Sequence, residues 1–473
     1  MRKTKIVCTL GPASNTYDTV KAMALAGMNV ARFNFSHGDH DSHLAMFRVV
    51  SRVRSELHMP IATLLDTRGP EIRLRDFAAG AIMLNAGDSF TLTTRDVPGD
   101  QHIVSITHQS LPQDMQGHTR VLIDDGLVEL AVEDITDTDI ITRVVAPGKV
   151  SSRKGVNVPG VHLSLPYISD VDREDVRFGI RTGFDYVAAS FVRSREDLLE
   201  MRRLLDENGG AHIRIIAKIE NAEGVENIDD IIELADAVMI ARGDMGVEIP
   251  FEDIPIIQKR IIKAATMAGK QVITATQMLE SMVYSPRPTR AEITDVANAI
   301  FDGTSATMLS GETANGKHPV EAVRTMARLA VRAEEDIDYK KLFRERSDAS
   351  FSDTVTDAIS HATCLVALNL KAAAIITVTK SGGTAKMISR LRPEMPIIAC
   401  TPEASTYRQL SLSWGVTPVT IGEERVTDAL FQHAVDASRD TGLIKSGDLV
   451  VLTAGVPLAI SGMTNLLKVV KVE

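Results

Sequence analysis

Three short segments carry side chains that can meet at one phosphoryl group. In IAKIEN, Lys218 and Glu220 stand two residues apart in a β-rich run, so both point to the same face of an extended chain. The next such run ends in ARGDMG and adds Asp244, which brings two carboxylates and one ammonium within reach of one another. A buried Lys218–Glu220 pair inside a core is the plainer reading of IAKIEN, and Asp244 weighs against it. In MNVARFNFSHG, Arg32, Asn34 and Ser36 alternate along one edge, a cation with two neutral oxygen donors. Such a set suits a phosphate beside a hard monovalent cation, although a turn after a strand explains that segment equally well. LLDTRGPEIR contributes Asp66 and Thr67 as further oxygen donors and Arg73 as a phosphate contact. Arg242, Gly243 and Asp244 form a glycine-containing turn ahead of a short helix, where backbone N–H groups can cradle an anion. Late in the chain, Thr379, Lys380, Ser381, Gly382, Gly383 and Thr384 join a strand to a helix with hydroxyls and flexible backbone. That loop reads either as a phosphate site or as a plain strand-to-helix turn.

The elements that must position these groups are short β-rich runs at residues 5–10, 28–35, 61–66, 186–191, 213–220, 237–242, 272–277 and 306–310. Helical spacing lies between most of them, as at 18–26, 195–205, 254–267 and 319–334. Alternation of strand and helix predicts parallel pairing, and eight units predict a closed (β/α)8 TIM barrel, whose chemistry sits at the C-terminal ends of the strands. Arg32, Asn34, Asp66, Ser190, Lys218, Glu220, Arg242, Asp244, Thr276 and Ser310 all fall at or near such ends. Residues 68–164 break the rhythm with Thr, Asp and Val in short alternating stretches, which predicts an inserted small β-barrel placed to act as a lid. A purely decorative insertion is the competing reading. After the charged run 334–346, strand candidates at 373–379, 396–401, 416–421, 448–453 and 466–472 predict a C-terminal α/β domain. The boundaries are therefore 1–67 with 165–337 for the barrel, 68–164 for the lid, and 338–473 for the last domain.

Composition fits a multidomain soluble enzyme: 473 residues, 44% hydrophobic and 24% charged. The net charge of −10 and the absence of a basic run argue against nucleic acid, so anionic substrates need locally placed cations. Cys8, Cys364 and Cys400 are widely spaced and predict no disulfide framework. The apolar run near the N-terminus, 6–10, is shorter than a signal-peptide core, and no stretch approaches the roughly 20 residues of a membrane span, so a cytoplasmic protein is expected. Residues 311–317 fit GxxxxGK, but His318 stands where a phosphate loop needs Ser or Thr, which excludes that class. His37 and His162 have no second His at ligand spacing and read as structural.

Taken in order, MNVARFNFSHG, LLDTRGPEIR, KGVNVPG, IAKIEN, ARGDMGVEIP, ATQMLESM, SPRPTRAE and MLSGETA resemble the pyruvate kinase family. The resemblance implies phosphoryl transfer from phosphoenolpyruvate to ADP, giving pyruvate and ATP. It implies magnesium or manganese on Glu220 and Asp244, and potassium on Asn34, Ser36, Asp66 and Thr67. Arg32 and Lys218 would face the phosphoryl group, and Gly243, Asp244 and Thr276 the substrate carboxylate. Thr276 is a hydroxyl through which water can relay a proton to the enolate. Arg73, Lys154 and Asn34 would serve the nucleotide, Lys154 from the lid. Glu71 matches members that depend on potassium, whereas a Lys there supplies the positive charge internally; Arg68 stands where many relatives carry Lys. Residues 379–384 match the loop that binds a phosphorylated allosteric effector, and the family implies a homotetramer. Two other readings stay open: a magnesium-dependent oxoacid lyase or aldolase barrel, and a catalytically silent metabolite sensor.

Overall fold

The structure is a computed structural model that describes residues 1–349, 354–424, 426–456 and 463–473. Eight strands close into a barrel, at Lys5–Thr9, Val30–Asn34, Ala62–Asp66, Tyr186–Ala189, Arg214–Ile219, Ala237–Ala241, Gln271–Ala275 and Ala306–Leu309. Every neighbouring pair is parallel. Buried on both faces, these strands need apolar residues throughout, which is why they read as continuous runs rather than alternating ones. Inside, Val7, Val30, Leu64, Tyr186, Ile216, Met239, Ile273 and Met308 fill the barrel. Outside, the helices pack over a second, larger apolar layer.

Caps fix where several helices begin. Thr16 receives the Thr19 N–H ahead of Tyr17–Ala26, while Asp39 and Thr289 form capping boxes with Ser42 and Glu292 ahead of His40–Leu57 and Arg290–Asp302. No described helix is long and apolar enough to cross a membrane.

The insertion is all-β apart from one short helix, Leu111–Asp114. Its seven-stranded sheet runs from Ile72–Arg73 at one edge to Ile103–Ser105 at the other. A bridge between Leu74 and Ile106 joins those two edges, so the sheet closes on itself around its own core. The chain leaves on Ile72–Arg73 and returns on Gly155–Asn157, which pairs with it. The whole insertion therefore hangs from two adjacent strands at the barrel mouth.

The C-terminal sheet has five strands, in the order Val416–Thr420, Ile397–Thr401, Ala374–Val378, Leu449–Ala454 and Leu466–Lys471, with only the last antiparallel. It covers the opposite end of the barrel. Leu412 enters the barrel interior, the Tyr186 hydroxyl donates to the Gln409 carbonyl at 2.6 Å, and Lys5 Nζ donates to the Val416 carbonyl at 2.6 Å. Most of the charged run 334–346 is helical, in Pro319–Glu334 and Tyr339–Ala349. Glu334 accepts the N–H groups of Lys3 and Thr4 at 2.7 and 2.6 Å, which ties this corner to the first strand.

Candidate active site

The polar strand ends do converge. Lys218 Nζ lies 3.0 Å from Asp66 Oδ1, 2.9 Å from Glu220 Oε1 and 2.7 Å from Ser190 Oγ, so three neighbouring strands supply its partners. Arg32 pairs with Asp66 through Nε and donates from Nη1 to Thr9 Oγ1 at 2.9 Å. Lys218, Arg32, Asp66 and Glu220 are all buried.

Such burial is tolerable only because the charges answer one another. Burial opposes the charge on Asp66, yet Arg32 and Lys218 together hold its carboxyl below the usual carboxylate range. Burial likewise disfavours the Lys218 ammonium, and the pull of Asp66 and Glu220 more than offsets it, so Lys218 stays charged. Glu220 goes the other way. Burial pushes it up to about 8, Lys218 opposes, and the like charges of Asp244 and Asp66 add to the rise. The two partners differ because Lys218 faces two carboxylates, whereas Glu220 shares a single ammonium with Asp66 and feels Asp244 as well. A cation between Glu220 and Asp244 would relieve that repulsion.

On the neighbouring pair of strands, Asn34 and Asp66 lie side by side in register. Asn34 Oδ1 accepts the Ser36 N–H at 3.1 Å, which folds Ser36 back toward it. The Thr67 hydroxyl donates to the Ala188 carbonyl at 3.2 Å and accepts the Ser190 N–H at 3.1 Å. The hydroxyl is thus tied on both sides to the strand Tyr186–Ala189 and its end, and the Thr67 carbonyl oxygen, which accepts from Ser190 Oγ at 2.7 Å, keeps a lone pair to offer a cation. Sequence reasoning named Thr67 without distinguishing these two oxygens.

Ala237–Ala241 runs into the short helix Arg242–Glu248. The Gly243 N–H donates to Thr276 Oγ1 at 2.8 Å, so Thr276 sits against the start of that helix. Thr276 and Gln277 both adopt left-handed φ values, 65° and 54°, a strained pair of the kind that clusters at functional sites. Arg242 is turned aside: it forms two 2.8 Å contacts with Asp295 and donates to the Thr276 carbonyl at 2.8 Å. Its cation buttresses the Thr276 loop.

The cleft between barrel and lid is lined by Glu71, Arg73, Asp124, Lys154, Asn157 and Asp244, among others. Arg73 stands on the outgoing strand and Lys154 just before the returning strand Gly155–Asn157, and each has an acidic partner. Arg73 Nε donates to Glu71 at 2.8 Å, and Lys154 Nζ lies 2.9 Å from Asp124. Burial raises the Glu71 carboxyl, with Arg73 opposing. His37 and His162, read from sequence as structural, both lie along this cleft; the exposed His162 approaches Glu223 at 3.3 Å.

Residues 379–384 join the strand Ala374–Val378 of the C-terminal sheet to the helix Gly383–Arg390, away from the barrel mouth. Thr379 Oγ1 accepts the Gly382 N–H at 3.0 Å, Gly382 takes φ 82°, and the helix Gly383–Arg390 starts there. Lys380 pairs with Glu423 at 3.2 Å, and Thr384 Oγ1 meets Thr464 Oγ1 at 2.8 Å; Ser381 follows Lys380 at the turn.

Comparison with known proteins decides among the three readings. The family profile described as pyruvate kinase, barrel domain, matches residues 1–323, and the one described as pyruvate kinase, alpha/beta domain, matches residues 357–470. The chain belongs to the pyruvate kinase family. A pyruvate kinase of Clostridium acetobutylicum is 50% identical over the full length of both chains. One of Geobacillus stearothermophilus is also 50% identical, across 99% of this chain and 80% of its own. A solved pyruvate kinase of Cryptosporidium parvum superposes with TM-score 0.95 at 39% identity, covering 100% of this chain and 96% of the other. The kinase is thus a phosphotransferase, built as the sequence predicts from a closed parallel barrel and a C-terminal α/β domain. Its reaction carries the phosphoryl group of phosphoenolpyruvate to ADP.

Proposed function

We propose that the kinase performs this transfer at the barrel mouth, with Lys218 and Arg32 on the phosphoryl group and two cations held beside it. The observation that carries the reading is the placement of the Lys218 ammonium at 3.0 and 2.9 Å from two buried carboxylates, Asp66 and Glu220, whose strands flank Tyr186–Ala189. Phosphoryl transfer needs positioning and charge neutralisation more than covalent help, and this cluster supplies both.

Glu220 and Asp244 are the residues that would hold magnesium or manganese. Among the described residues no group of three or more His, Cys, Asp or Glu side chains is placed to hold a metal. Two carboxylates suit an ion that keeps water and takes substrate oxygens for its other positions. Asn34, Ser36, Asp66 and the Thr67 carbonyl would hold potassium. When bound, these cations supply Lewis-acid stabilisation and neutralise phosphate charge.

The chain's own groups do the rest. The N-terminus of the helix Arg242–Glu248, with Gly243, Asp244 and Thr276, receives the substrate carboxylate. Arg73 and Lys154, with Asn34, orient the nucleotide phosphates, and the lid at 68–164 closes over them to exclude water. An ADP phosphate oxygen attacks phosphorus as the bond to the enol oxygen breaks, leaving the enolate of pyruvate. The enolate carbon then takes a proton, with Thr276 placed to relay it through water. Residues 338–473 form a regulatory domain in which 379–384 bind a phosphorylated effector. The kinase works in the cytoplasm as a homotetramer.

The test is pyruvate formation from phosphoenolpyruvate, magnesium and potassium, followed through lactate dehydrogenase, with and without ADP. Turnover that requires ADP supports the reading. Consumption of phosphoenolpyruvate without a nucleotide would return the lyase reading, and no turnover even with sugar phosphates or AMP present would return the silent sensor.

A further inference from the structure

Asp172 is a buried carboxylate that neither the reaction nor the resemblance uses. It is 2% exposed and lies in the first turn of the helix Asp170–Thr182, which begins where the chain returns from the lid. Its Oδ2 accepts from the N-cap residue Ser169 through Oγ at 2.7 Å, and its own N–H returns to that hydroxyl at 3.0 Å. This leaves Oδ1, which accepts the backbone N–H of Arg68 at 2.9 Å.

That N–H belongs to the same peptide unit as the Thr67 carbonyl. Because the peptide is planar and trans, its N–H and C=O point in opposite directions, so fixing one aims the other. Asp172 therefore turns the Thr67 oxygen inward, where Ser190 Oγ already meets it at 2.7 Å. A carboxylate acceptor also polarises the peptide and raises the negative charge on that oxygen.

One turn further, Asp175 reinforces the arrangement from the same helix face. Its Oδ1 lies 2.6 Å from His40 Nε2, and its Oδ2 lies 3.6 Å from Arg68 Nε. His40 opens the helix that follows the Asn34–Ser36 segment, and its ring stacks on Phe178 at 4.3 Å. A single helix thus grips both loops that carry the oxygen donors.

We propose that Asp172 is the positioning residue of the monovalent-cation cage, acting through the Thr67–Arg68 peptide, with Asp175 securing the flanking loops. This rests on the reading of Asn34, Ser36, Asp66 and Thr67 as that cage.

The experiment measures half-saturating potassium in two ways on the intact enzyme. One is activation of turnover; the other is the potassium-induced rise in melting temperature, against tetramethylammonium at equal ionic strength. Asp172→Ala is expected to raise both half-saturation values about tenfold, the cost of losing a hydrogen bond to a charged acceptor, with kcat at saturating potassium kept. Asp172→Asn retains an acceptor oxygen but not the charge and is expected to shift both by about threefold; if the alanine variant does not fold, the asparagine variant decides alone. In a Glu71→Lys background, which reduces the need for potassium, the Asp172 substitutions should change activity little. Unchanged half-saturation, a loss of kcat that saturating potassium does not restore, or an equal loss in the Glu71→Lys background would overturn the proposal. A parent enzyme indifferent to potassium in both readouts would instead remove the cage reading, and the positioning role with it.

Discussion

Replacing Lys218 by Met keeps the buried stem and removes only the ammonium. At about 3 Å and an effective dielectric near 20, the contact with the ionised Asp66 is worth roughly 5 kcal/mol before desolvation is counted. The fold nevertheless survives. Asp66 keeps Arg32, while Glu220 keeps the Phe191 N–H at 2.6 Å and, already pushed up to about 8, becomes neutral at little cost. The loss of stability should therefore fall below the ~3–5 kcal/mol typical when half of a buried pair is removed. Catalysis should fare worse, because in the proposed site the missing charge is the one assigned to the transferring phosphoryl group. Cations in that role are worth about 10³ to 10⁵ in kcat. Coupled turnover at saturating substrates, with circular dichroism as the folding control, should show a loss of that size in a folded protein. A kcat within tenfold of the parent would remove Lys218 from the mechanism.

Glu71→Lys should raise turnover in the absence of potassium to a substantial fraction of the potassium-saturated rate, since the new ammonium would bring to the cleft a positive charge of the kind the proposed potassium supplies; an undiminished requirement would refute the reading of Glu71. Lys154→Met should raise the KM for ADP about tenfold while leaving that for phosphoenolpyruvate unchanged, and equal effects on both would argue against a nucleotide role. Magnesium activation should depend on pH: with Glu220 pushed up to about 8, its carboxyl is protonated below that pH and must lose the proton to hold a cation. Half-activating magnesium should therefore fall by up to about tenfold per unit as pH rises from 6 toward 8, then level off, and a flat profile would contradict this assignment.

The barrel was legible because its strands are buried on both faces and end in polar residues, so each run announces its own boundary. Lys218 and Glu220 were legible for the same local reason, two residues apart on a strand. Arg242 was not. Its side chain pairs with Asp295 on the distant helix Arg290–Asp302, a contact that no local spacing records. Asp172 is hidden in the same way, since its partner is a backbone N–H 104 positions earlier. The choice between the Thr67 hydroxyl and carbonyl depends on Ala188 and Ser190, which reach it only when the barrel closes. The helix Tyr339–Ala349 overlaps the charged run 334–346, and tertiary contacts through Glu334 hold that corner.

The most direct test of the two-cation site is manganese binding, followed by electron paramagnetic resonance as loss of the free-ion signal, in the parent enzyme and in Glu220→Gln. One tight ion per chain in the parent, weakened at least a hundredfold in the variant while the fold is retained, is the predicted result. Equal manganese affinity in the two proteins would contradict the assignment of Glu220 and Asp244 as the metal-holding pair.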